Sequence, residues 1–183
     1  MTYRLRFLYN LGAFGSAACL IIICSLITIQ VIGRLIDKAS ASLGFDNVGL
    51  VVPGLSEISG FLLVGATFLG LAYTFVNHGH IRVTLLISHL KPKSRVFVEV
   101  WCLSLALALC VYLTFYTFRL VEDSWSFNEM SYGMLRIKLW IPQTVMFLGL
   151  VLFSLAILET WLNRLIQALT KPNEFFIDDS GHE

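Results

Sequence analysis

The chain has 183 residues, 57% of them hydrophobic and only 14% charged, with a net charge of +1. Soluble domains carry about 25% charged residues, and a chain this short buries only about 70% of its surface on folding, so part of its solvent must be lipid. The near-zero net charge gives no electrostatic basis for binding nucleic acid.

Four stretches contain no Asp, Glu, Lys or Arg: Leu11–Gly33, Ile58–Asn77, Val100–Phe118 and Leu139–Leu158. Each is close to the ~20 apolar residues that an α-helix needs to cross a ~30 Å hydrocarbon core. The runs are continuously apolar rather than alternating, which predicts helices and not a barrel. The expected fold is an all-α integral membrane protein. A single domain over residues 1–183 holds four transmembrane helices, at about 11–33, 57–77, 99–119 and 139–162, plus short interfacial helices.

A short N-terminal tail carries Arg4 and Arg6. The apolar run after it exceeds the ~7–15 residues of a signal-peptide core, and Arg34, Asp37 and Lys38 precede Ala39-Ser40-Ala41. The expectation is a retained first span. Gly12 and Ser16 have the small-xxx-small spacing that lets helix backbones approach in lipid. Residues 34–56 form a polar, Gly/Pro-containing loop whose early part, Leu35–Ala41, suits an extension of the first helix beyond the bilayer.

The second span opens on Glu57, a carboxylate suited to the positive end of a helix dipole. Gly60, Thr67, Gly70 and Thr74 form one stripe along it, Ala66 and Gly70 add another small-residue pair, and Phe61, Leu62, Leu69 and Val76 lie opposite. This pattern predicts a packed helix face and leaves open whether the neighbour is another span or a partner. A polar break, His78–Arg95, follows. Within it Val83, Leu86, Ile87 and Leu90 have helical spacing, as in a short helix lying in the headgroup layer, and Lys91–Arg95 reads as a basic turn.

Glu99 and Arg119 bound the third span, and residues 122–138 read as a loop rich in aromatic and apolar side chains. The fourth span starts at Trp140-Ile141-Pro142, where proline is tolerated because the first-turn N–H has no helical partner. Its amphipathic pattern continues toward Pro172, and the acidic tail, residues 173–183, reads as disordered. Trp101, Trp140 and Trp161 sit at span ends, where indole prefers the interface. Arg4, Arg6, Arg82, Lys91, Lys93, Arg95, Arg164 and Lys171 lie on one side of the membrane, and Arg34, Lys38, Arg119, Arg136 and Lys138 on the other. The bias predicts both termini in the cytoplasm.

Pumps and ion-coupled carriers need ionisable groups inside the membrane, and the interiors of these spans have none. Gln30 is the most polar residue of the first span and suits a helix–helix hydrogen bond. Haem within a bundle needs axial histidines on the spans, but His78, His80 and His89 fall in the polar break. Cys19, Cys24, Cys102 and Cys110 form no CxxC or Cys/His cluster, and the His78–His80 pair has no carboxylate or cysteine beside it. No catalytic set or phosphate loop appears. The sequence therefore predicts no enzyme, cofactor or metal site. Its specialised parts are at the edges: Glu57, the His80-Ile81-Arg82 corner and the Trp125–Pro142 region. With the stripe, they make Glu57, Gly60, Thr67, Gly70, Thr74, His80 and Arg82 the candidate partner-contact residues.

Four spans, a Glu opening the second, and Gly79-His80-Ile81-Arg82-Val83-Thr84-Leu85-Leu86 after it resemble the small membrane subunit of tripartite ATP-independent periplasmic (TRAP) transporters, the DctQ-like family. Thr84 stands where that family often has Asp. Ser131, Gly133, Leu135, Trp140-Ile141-Pro142 and Gly149 also resemble the family's approach to span four. The resemblance implies a bacterial inner-membrane subunit in a sodium-coupled secondary transporter. Its partners would be a large multi-span subunit, which carries small organic acids by an elevator-type motion, a periplasmic substrate-binding protein, and membrane lipids. Two alternative readings are a membrane-anchor subunit of a redox enzyme and a stand-alone four-span exporter.

Overall fold

The computed structural model describes residues 5–43, 49, 53–78 and 92–170. Four helices account for nearly all of them: α1 (Arg6–Leu43), α2 (Leu55–His78), α3 (Pro92–Ser126) and α4 (Trp140–Thr170). All four are long and apolar enough to cross a membrane. The expected interfacial helix over Ile81–Leu90 and the acidic tail lie outside the described residues.

The helix ends follow local chemistry. α1 has 38 residues, about 57 Å at 1.5 Å per residue, so it exceeds a ~30 Å core. It runs past Arg34, Asp37 and Lys38 as its Leu35–Ala41 pattern predicts. Before α2, Gly54 adopts a positive φ of 66°, and its carbonyl accepts from the Glu57 and Ile58 N–H groups at 3.0 and 3.1 Å.

α3 is longer at both ends than the predicted 99–119. It begins at Pro92, so Pro92–Arg95 form its first turn rather than a basic connection; proline's fixed φ suits a helix start. At the other end Glu122–Ser126 are helical, not loop, because no Gly or Pro interrupts them. The stop comes at Asn128, at φ 49°. The Asn128 N–H donates to the Trp125 carbonyl at 3.3 Å and the Glu129 N–H to the Ser124 carbonyl at 3.1 Å. This is the paired bonding of a Schellman cap, with Asn in the left-handed position.

The helices stand side by side in the order α1, α2, α4, α3 rather than as a closed bundle. α1 and α2 run antiparallel: a Cβ on Gly12 would lie 2.7 Å from the Leu69 carbonyl oxygen, and the Ser16 hydroxyl donates to the Ala66 carbonyl at 2.6 Å. The small residues of both helices thus meet at one seam. α2 and α4 run parallel: a Cβ on Gly149 would come within 2.6 Å of the Phe68 carbonyl oxygen, and Gly65 faces Val145. α3 packs antiparallel on α4, where Thr114 and Ser154 share a hydroxyl contact at 3.2 Å.

Expelling water gives helices no reason to associate inside lipid, so these close approaches and short polar contacts are what hold the row. Two small cores fasten it at the end where α1 begins. Tyr9, Ala72 and Ala156 join α1, α2 and α4. Leu103, Cys110 and Ile157 join α3 to α4, with Phe75 of α2 packed against them. The outer sides of α1 and α3 carry exposed apolar side chains, among them Phe14, Ile21, Leu105 and Tyr112, as expected for helices edged by lipid.

Candidate partner-facing surfaces

Glu57 sits in the first turn of α2 and is clasped by the connection between α3 and α4. Its Oε1 accepts from the Ser131 hydroxyl, and its Oε2 accepts from the Leu135 N–H at 3.1 Å. Gly133 lies so close to the carboxylate that any side chain there would collide with it, and Leu135 abuts Gly54.

The connection is braced internally as well. Met130 and Lys138 form an antiparallel bridge, and the Ser131 N–H donates to the Ile137 carbonyl at 2.8 Å. The buried Ser124 hydroxyl donates to Glu129 Oε2 at 2.7 Å. The rings of Trp125 and Trp140 meet edge to face, 4.7 Å between centroids, where α3 ends and α4 begins. Ser131, Gly133 and Leu135 are distant from Glu57 in sequence, and the fold collects them around it. A Gly133→Val substitution is expected to push the Glu57 carboxylate off Ser131 and the Leu135 N–H and to destabilise the chain through those lost charge-assisted bonds, read as reversible unfolding in detergent micelles.

The stripe on α2 divides. Gly60, Thr67 and Thr74 repeat every seven residues, two turns apart, so they share one line along the helix. All three are exposed. The two threonine hydroxyls bond back to carbonyls of their own helix, Thr67 to Leu63 at 2.9 Å and Thr74 to Gly70 at 3.1 Å. A Cβ on Gly60 would meet nothing within 4 Å. Gly70 belongs elsewhere: its missing Cβ makes room for the Ser16 hydroxyl of α1. The stripe is thus no seam within this chain; three of its four members face outward. Glu57 stands at the far end of α2 from Thr74, and His80 and Arg82 lie outside the described residues.

The end of the row where α1 begins holds polar contacts not evident in the sequence. Arg164 Nε lies 3.0 Å from Glu99 Oε1, both side chains almost buried. Tyr9, a residue only 1% exposed, donates its hydroxyl to Glu159 Oε2 at 3.0 Å. Trp161 Nε1–H donates to the Ser104 hydroxyl at 2.7 Å. Opposite charges at matching depths on successive spans were the available signal for the Glu99–Arg164 pair. Among the described residues no three His, Cys, Asp or Glu side chains come together as metal ligands.

The geometry suits a membrane component that is held together at both ends and leaves a line of α2 open. The family profile described as "Tripartite ATP-independent periplasmic transporters, DctQ component" matches residues 23–167. Neither the curated proteins nor the solved structures yield a match. The match spans most of the chain, including α2, α3, the Glu57 clasp and most of α4; the chain belongs to the DctQ family, the small membrane component of TRAP transporters.

Proposed function

We propose that this chain is the static scaffold subunit of a sodium-coupled TRAP transporter that takes up small organic acids. It braces a large multi-span membrane subunit, which carries the solute and sodium. A periplasmic binding protein delivers the solute. Both termini lie in the cytoplasm of a bacterial cell and the four helices cross its inner membrane. In this orientation Glu57 faces the periplasmic side, and His80 and Arg82 the cytoplasmic side.

The observation that carries the reading is an electrically silent membrane interior beside an open polar and small-residue stripe. The charge-free runs leave no Asp, Glu, Lys, Arg or His midway along any span, and charged side chains inside a membrane mark the paths of ions and polar solutes. Gly60, Thr67 and Thr74 offer close backbone approach and hydroxyls to a helix from outside the chain.

The test is co-expression with the large subunit. A Thr67→Trp/Thr74→Trp variant is expected to change the stability of the isolated chain by no more than about 0.5 kcal/mol, because both positions are exposed. It should also reduce recovery of the large subunit on affinity purification several-fold. Undiminished recovery would remove the stripe from the contact surface.

A further inference from the structure

The connection at residues 127–139 exposes more apolar surface than a solvated loop carries. Phe127, Tyr132 and Met134 are 76%, 104% and 80% exposed. The segment is braced by the 130–138 bridge and by the bond from the Leu139 N–H to the Glu129 carbonyl at 3.1 Å.

Its depth is set from two sides. Ser131 and Leu135 bond Glu57, in the first turn of α2, and residue 139 leads directly into α4 at Trp140. The loop therefore lies in the plane where two membrane spans begin, the layer in which aromatic side chains settle with one part apolar and one part wet. Arg136 and Lys138 are exposed on the same segment, and cations in this layer meet lipid phosphates.

The loop is flanked on both sides by apolar side chains at the ends of α3 and α4. An open groove of about 430 Å³ between α3 and α4, lined by Phe118, Val121, Trp125 and Trp140 among others, starts beside the loop. At the level where α2 and α4 begin, exposed aromatic and cationic side chains on one braced loop match the boundary between headgroups and acyl chains.

We propose that residues 127–139 form a membrane-interface anchor. Phe127, Tyr132 and Met134 enter the boundary between phospholipid headgroups and acyl chains, Arg136 and Lys138 engage the phosphates, and the Glu57 clasp fixes the depth. The inference holds for either orientation of the chain and goes beyond the scaffold role.

The test uses the full chain with Cys19, Cys24, Cys102 and Cys110 replaced by alanine, in nanodiscs of phosphatidylethanolamine and phosphatidylglycerol. A nitroxide is attached through Tyr132→Cys or, separately, Met134→Cys. Both labels are expected to collide with oxygen several-fold more than with a water-soluble nickel chelate. Adding Glu57→Ala should bring that ratio down toward the value in water while the helical circular dichroism is kept. Should Glu57→Ala fail to fold, Ser131→Ala takes its place.

Labels that meet the nickel chelate as freely as water-exposed ones would overturn the anchor. So would labels shielded only after the large subunit or the binding protein is added, which would assign the loop to a protein interface. An unchanged ratio on loss of the clasp would overturn the role given to Glu57.

Discussion

Replacing Arg164 by methionine is expected to destabilise the chain by about 3–5 kcal/mol, the scale for removing one partner of a buried ion pair. The guanidinium lies 3.0 Å from Glu99, and the two side chains are only 10% and 8% exposed. The consequence is architectural: this pair, with Trp161–Ser104 and Thr114–Ser154, is among the contacts that bind α3 to the row. Glu99→Gln keeps a hydrogen-bonding group and should cost less. The double variant Glu99→Met/Arg164→Met should be more stable than Arg164→Met alone, because removing both charges also removes their desolvation. Reversible unfolding in mixed micelles measures all three, and adding Glu99→Met closes the double-mutant cycle. Equal losses in the Arg164→Met and double variants would show that packing rather than charge dominates there.

A Gly149→Val variant is the second large effect. At this position α4 lies against the α2 backbone itself: a Cβ would fall 2.5 Å from the Phe68 carbonyl carbon and 2.6 Å from its oxygen. A side chain can rotate away from a new methyl group, but a backbone carbonyl within a helix cannot. The two central helices must separate, loosening the Gly65–Val145 and Ala72–Ala156 regions along the same seam. Overpacking costs about 1–3 kcal/mol, and this site belongs at the top of that range. Gly60→Val is the control. Its Cβ would meet nothing within 4 Å, so it should leave the isolated chain's stability nearly unchanged.

The spans were legible because hydrocarbon tolerates so few charges: Leu139 apart, each of the four charge-free runs lies within a helix long and apolar enough to cross a membrane. Their ends were less so. Asn128 carries no strong stop signal by itself, and only its left-handed conformation and the capping bonds behind it show why α3 continues to Ser126. The order of the helices in the row was not legible, since small residues such as Gly12, Gly65 and Gly149 mark close approach without naming a neighbour.

At the candidate surfaces, Glu57 stood out as a carboxylate opening an apolar helix, and the helix dipole accounts for it there. Its engagement by Ser131 and Leu135 is a long-range contact that no local pattern encodes. The stripe on α2 was visible, but periodicity could not separate Gly70, which α1 uses, from Thr67 and Thr74, which the chain leaves open. Glu99 and Arg164 looked like ordinary span-end charges until the fold placed them side by side.

The scaffold reading is tested most directly by reconstituting the chain into sealed liposomes alone, and together with the large subunit and the binding protein, and following radiolabelled organic acids under an inward sodium gradient. The account predicts uptake only from the complete system and a flat baseline from the chain alone. Gradient-driven accumulation by the chain alone would contradict it, because such transport would require a path for charge through a membrane interior that has no Asp, Glu, Lys, Arg or His to line it.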